Sequence, residues 1–135
     1  MDTLEKKKEY LRSYGKAVRR MERQKEKIKE MRLGQIIPAS NSDGMPHAHN
    51  PSDLSGYAAM LDEEECIYKE ERYKCMLLCK EITEKIENLE KEDEKDLLLY
   101  RYIRRMSWED IRVKMKLCEQ HIFRIHKNAL NNLKI

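Results

Sequence analysis

Glycine and proline are scarce in this 135-residue chain, at four and three residues, and no glycine-rich loop is spaced to cradle a phosphate. Apart from one central stretch the sequence is built of helix formers, so the expected fold is all-α and no sheet is foreseen. Nowhere do eighteen apolar residues run uninterrupted, and the charged amino terminus lacks an apolar core region, which speaks against membrane spanning and secretion and for a cytoplasmic protein. The four cysteines, Cys66, Cys75, Cys79 and Cys118, fall on expected helices rather than in a loop-rich framework, and a reducing compartment keeps them as thiols. Paired carboxylates in an apolar setting are missing, as is a Ser or Cys nucleophile with an evident base, so the chain reads as a non-enzyme without a cofactor.

Charge is abundant and blocked. The net +3 conceals 12 basic against 6 acidic residues in 1–34, 0 against 3 in 35–62, 7 against 13 in 63–96 and 9 against 3 in 97–135. Basic character at both ends suits a polyanion; the acidic middle opposes it.

Residues 4–28 place Leu4, Leu11, Tyr14, Val18, Met21 and Ile28 on an a/d register, with Lys25 at one a position, which describes a long helix with a narrow sticky stripe. Residues 34–51 then gather Gly34, Pro38, Asn41, Ser42, Asp43, Gly44, Pro46, Asn50 and Pro51, a linker. Asn50 reads as the cap, and Pro51 as the first residue, of a second long helix reaching about Leu89. In it Leu54, Leu61, Tyr68, Cys75, Ile82 and Leu89 recur every seven residues, with Ala58, Cys79 and Ile86 as companions and Glu65 and Arg72 as interruptions. So narrow a stripe calls for pairing: an antiparallel hairpin over 1–90 with its loop at 34–51, or association with a second copy. After a break at 88–93, residues 96–103 begin a carboxy-terminal domain over 91–135, with Leu97, Leu98, Leu99 and Tyr102 as core.

The densest signal lies in 107–133. Trp108, Ile111 and Met115 mark the inward face of one short helix, and Ile122, Ile125, Ala129 and Leu133 that of another. Ser107 and Asp110 form a capping box that starts the first, and Lys116-Leu117-Cys118 is the turn. This is the grammar of a helix-turn-helix. Outside on the second helix it leaves Glu119, Gln120, His121, Phe123, Arg124, Lys127 and Asn128 as candidate DNA contacts. Arg124 and Lys127 are suited to neutralise phosphates, and Gln120, His121 and Arg124 to meet base edges in the major groove. The competing reading is a solvated face of a three-helix bundle.

Two further features are weaker. His47 and His49 could be read as metal ligands, but they lack a Cys-x-x-Cys partner, so no metal site is expected. The basic run Lys6-Lys7-Lys8, with Arg19, Arg20 and Arg23, reads first as the wet side of an amphipathic helix and second as a grip on phosphates.

Tyr100-Arg101-Tyr102-Ile103, Ser107-Trp108-Glu109-Asp110-Ile111 and Ile122-Phe123-Arg124-Ile125-His126-Lys127-Asn128-Ala129-Leu130 resemble region 4 of bacterial sigma factors. They resemble more closely the small phage-encoded RinA/ArpU-type regulators of late transcription. The likeness covers about the last forty residues. Upstream, Asp43-Gly44-Met45-Pro46-His47 with Asp53, Leu54 and Tyr57 is similar to a short motif of phage members of that group. The chain departs from sigma-like domains in having Arg112 where a small residue is usual, no Gly near Lys116, and Cys118 in place of a Ser or Thr cap. The resemblance implies sequence-specific double-stranded DNA binding and activation of phage or prophage late genes, with host RNA polymerase as a further partner and a homodimer formed through the hairpin. Two alternatives from other classes are a polymerase-binding adaptor that does not touch DNA, and a DNA-packaging subunit of the small-terminase kind.

Overall fold

The computed structural model describes residues 3–36 and 51–135, and among them every regular element is helical. Helix α1 spans Thr3–Ile36 and α2 spans Pro51–Glu87, so Pro51 does occupy a first helical position, where its missing amide costs nothing. The expected cap Asn50, the motif at 43–47 and the pair His47 and His49 lie outside the described residues. After a break at 88–91 come α3, Glu92–Leu98, which continues into one π-helical turn, Leu99–Ile103, then α4, Trp108–Met115, and α5, Glu119–Asn132. Helix α3 begins four residues before the expected Asp96, because Glu92, Asp93 and Glu94 supply three acids to a first turn whose free amides favour negative charge.

The chain forms two compact units, Met1–Val18 with Cys75–Ile135, and Arg19–Lys74. In the first, Leu11 of α1, Ile82 and Ile86 of α2, Leu89, Leu98, Tyr102 and the α5 residues Ala129 and Leu130 close one apolar cluster with Leu133. Leu97, Ile111, Ile122 and Ile125 form another, walled by Tyr100, Met106, Trp108, Met115 and Leu117. Successive residues on a helix point about 100° apart, so α3 feeds one cluster through Leu98 and the other through Leu97. Each buried Leu or Ile contributes about 1.5–3 kcal/mol. Leu99, expected as core, is only half-buried against the first cluster.

Polar ties complete this unit. Lys7, assigned above to a wet basic run, instead donates from Nζ to the Leu130 carbonyl at 2.8 Å and the Asn131 carbonyl at 3.4 Å. It thereby satisfies carbonyls that the end of α5 leaves open. Asn132 donates from Nδ2 to both carboxylate oxygens of Glu94, at 3.0 and 3.4 Å, and Glu94 is only 2% exposed. The first turn of α3 is thus held to the last turn of α5. Tyr10 donates to Glu81 Oε2 at 2.8 Å while the Lys85 ammonium sits 4.5 Å from its ring centre, and Tyr14, one turn on, faces Cys79 and Cys75, so α1 and α2 run antiparallel here.

In the second unit α1 and α2 are again antiparallel, joined by Gln24 to Glu64 and by Tyr57 to Met31. Gln24 Nε2 donates to the Glu64 carbonyl at 2.9 Å and its carboxylate at 2.5 Å, and Lys27 Nζ reaches the other carboxylate oxygen at 3.0 Å. These donors, Gln24 first, hold the Glu64 carboxyl below its usual range. Arg32 pairs with Glu65, and Tyr57 donates to the Met31 carbonyl at 2.6 Å. The heptad reading is corrected at two positions. Lys25 is exposed and Gln24 faces inward, because an amide can satisfy its hydrogen bonds against α2 where an ammonium would lose water. Ala58 is exposed and Tyr57 is half-buried in its stead, offering more apolar area and a hydroxyl with a partner.

Candidate nucleic-acid interface

Helix α4 starts where the capping residues place it: Ser107 is extended (φ −70°, ψ 158°) and its Oγ accepts the Asp110 amide at 3.1 Å. It ends at Lys116 in the left-handed region (φ 57°, ψ 43°), where the amides of Lys116 and Leu117 both close on the Arg112 carbonyl. Lys116 therefore takes the backbone role that glycine fills without a Cβ penalty. Cys118 caps α5 in extended conformation and supplies no side-chain bond to its first turn. Arg112 is half-buried, and its buried Nε has no hydrogen-bond partner.

On α5, Ile122, Ile125, His126, Ala129 and Leu130 are buried. Glu119, Gln120, His121, Phe123, Arg124, Lys127 and Asn128 are all exposed. Spacings of four and three bring Gln120, Arg124 and Lys127 into one row along the crest. His121 and Asn128 lie on one flank of it, Glu119 and Phe123 on the other. Among the described residues neither Arg124 nor Lys127 has an ion-pair partner. Phe123 is not a free contact group: although 43% exposed, it packs edge-on against Trp108 with ring centres 5.3 Å apart.

Trp108 is the hub beneath this flank. His126 meets its ring edge-on at 4.9 Å, and the Arg101 guanidinium lies 4.5 Å from it. Arg101 is further fixed by donating to the Met106 carbonyl at 3.0 Å. His126 Nε2 and the Tyr102 hydroxyl are hydrogen-bonded at 2.8 Å. Burial, then the charges of Lys8, Arg101 and Arg12, hold the imidazole down to about 4, so at neutral pH it is uncharged. Burial likewise raises the Tyr102 phenol, with Arg12 and Arg101 opposing. A second cationic cluster surrounds Tyr100, whose ring centre lies 5.2 Å from the Arg104 guanidinium and 5.6 Å from the Lys114 ammonium.

In the sequence His126, Arg101 and Arg12 carry no site role of their own, whereas Lys8 falls in the basic run whose second reading is a grip on phosphates. A signal for His126 existed: Ile122, His126 and Leu130 recur at intervals of four, a row parallel to the one chosen. Arg101 and Arg12 carry no such mark, because only the packing of α1 and the π-helical turn against α5 brings them near it. Among the described residues no three His, Cys, Asp or Glu side chains are grouped to hold a metal ion, and no helix is long and apolar enough to cross a membrane. Comparison of the chain with protein-family models, curated proteins and solved structures finds no match.

Proposed function

We propose that α5 is the recognition helix of a DNA-binding transcriptional regulator, acting at a promoter with host RNA polymerase in the manner of the phage late-gene regulators that its residues resemble. The observation that carries this reading is the exposed crest of α5. Gln120, Arg124 and Lys127 stand in one row above a sealed apolar face, and among the described residues the two cations have no ion-pair partner. An α-helix fits the major groove of B-form DNA, a guanidinium or carboxamide meets base edges in pairs of bonds, and an ammonium meets phosphate. The neighbouring sequence keeps to one sign, with 9 basic against 3 acidic residues in 97–135.

The test is binding to duplex selected by the protein from a random pool, beside a scrambled duplex. Arg124→Ala is expected to remove about 1–3 kcal/mol of discrimination between the two. Unchanged affinity for both would take Arg124 out of the interface, and a wild-type protein without salt-dependent affinity for any duplex would end the DNA reading. A specific observation favours one second reading. Val113 on α4 is 76% exposed, an apolar side chain left in solvent that a protein surface could cover, as the polymerase-binding adaptor requires.

A further inference from the structure

Three features draw the start of α1 against the flank of α5. Lys7 is bonded to the Leu130 and Asn131 carbonyls. Leu11 is fully buried in the cluster that contains Ala129, Leu130 and Leu133. Lys8 and Arg12, four residues apart on one edge of α1, act electrostatically on His126 together with Arg101, and Arg12 with Arg101 acts on Tyr102. Positive charge thus converges from α1 and the π-helical turn on the side of α5 that carries Phe123 and His126. Trp108 joins this group to the exposed flank of α5 at Phe123, since it touches Phe123, His126 and Arg101 alike. Like charges carried on one flank repel one another and favour an anion that can lie across them. One acid lies among them: Glu5 pairs with Lys8 at 3.3 Å and also acts on Tyr102, so three cations face a single carboxylate; Arg12 is exposed and, among the described residues, has no ion-pair partner.

We propose that the edge of α1 bearing Lys8 and Arg12, with Arg101 beside it, binds the sugar-phosphate backbone of double-stranded DNA along the strand bordering the groove that α5 enters. This inference rests on the DNA reading of α5 and adds a second, sequence-independent contact surface supplied by the far end of the chain. Phosphates line both sides of the major groove, so a helix seated in the groove presents its flanks to them, and cations fixed on a flank set register without reading bases. Arg101 is the best placed of the three, its guanidinium held by the Trp108 ring and the Met106 carbonyl.

The experiment measures affinity for short random-sequence duplex DNA and for the selected duplex across a series of salt concentrations. Each phosphate contact adds about 0.9 to the slope of log affinity against log salt. Arg12→Ala is expected to lower that slope by about 1, and Lys8→Ala with Arg12→Ala by about 2, with equal weakening on both duplexes. Lys6→Ala is the control, since Lys6 lies two positions from Lys8 and on a different face of α1; its slope should stay near wild type. If the double variant keeps the wild-type slope while Arg124→Ala still loses discrimination, the α1 surface is disproved and the role of α5 survives. If Lys6→Ala lowers the slope as much as Arg12→Ala, the effect is one of net charge and the surface is again disproved. A wild-type protein with no salt-dependent affinity overturns both. Arg12→Gln, which keeps the first part of the aliphatic stem and a polar end without the charge, should reproduce the slope of Arg12→Ala and separates lost charge from lost packing.

Discussion

The two compact units are held by different forces. Of the 17 buried apolar side chains among the described residues, 16 belong to the unit that contains α3, α4 and α5, and one, Ile28, belongs to Arg19–Lys74. The first unit has layered aliphatic packing under an aromatic hub. The second is a two-helix strip fastened by Gln24, Lys27, Arg32 and Tyr57 to carboxylates and two carbonyls. Exposed polar ties of this sort give register and direction more than stability. The same chain therefore carries one region able to hold a surface rigidly and another whose pairing is specified but thinly buried.

The largest test of that contrast is truncation in each core. Leu98→Ala is expected to cost about 2–5 kcal/mol in urea unfolding, and Ile28→Ala distinctly less, because a one-layer strip can close over the lost volume. Equal losses at the two sites would erase the distinction. Next comes pH. Folded His126 is held to about 4 while an unfolded imidazole titrates near 6.5. Above 6.5 the group is neutral in both states and contributes no slope. Between 6.5 and about 4 the unfolded chain takes up a proton that the folded one refuses, so stability falls with pH by on the order of 1–3 kcal/mol and then levels off. Urea midpoints compared at pH 7 and pH 5 for wild type and His126→Gln measure this, and parallel behaviour of the two proteins would mean the imidazole does not feel its burial. The smallest effect is a gain. Cys118→Ser gives α5 the side-chain acceptor its first turn lacks and should raise stability by about 1 kcal/mol. A thermal midpoint that does not rise would show those amides already satisfied.

The carboxy-terminal helices were legible because their signals are local. Ser107 announces a cap, the apolar spacing of α5 is that of a helix buried along one side, and the seven candidate contacts are what remains. The π-helical turn was not legible, since no residue in Leu-Tyr-Arg-Tyr-Ile demands it; it follows from seating Tyr102 against His126 while Tyr100 packs toward Ile111. The long helices were half-legible. Their periodicity located the stripe, yet the choice between Gln24 and Lys25, or Tyr57 and Ala58, depends on which side chain finds a partner across the strip. The basic run at Lys6-Lys7-Lys8 was visible, but the separate roles of Lys7 and Lys8, and Arg12 altogether, were beyond reach, because one basic residue resembles another until a neighbouring helix takes one of them for its carbonyls.

The bond from Lys7 to the Leu130 carbonyl joins residues 123 positions apart. For a small all-helical protein such closure is distant, and each doubling of the intervening chain adds about 0.6 kcal/mol of entropic cost. Folding of the larger unit then has to await synthesis through Leu133. It should run slower than helix content alone suggests, and early meeting of α1 with α2 within Arg19–Lys74 would shorten the search by drawing the two distant segments toward each other.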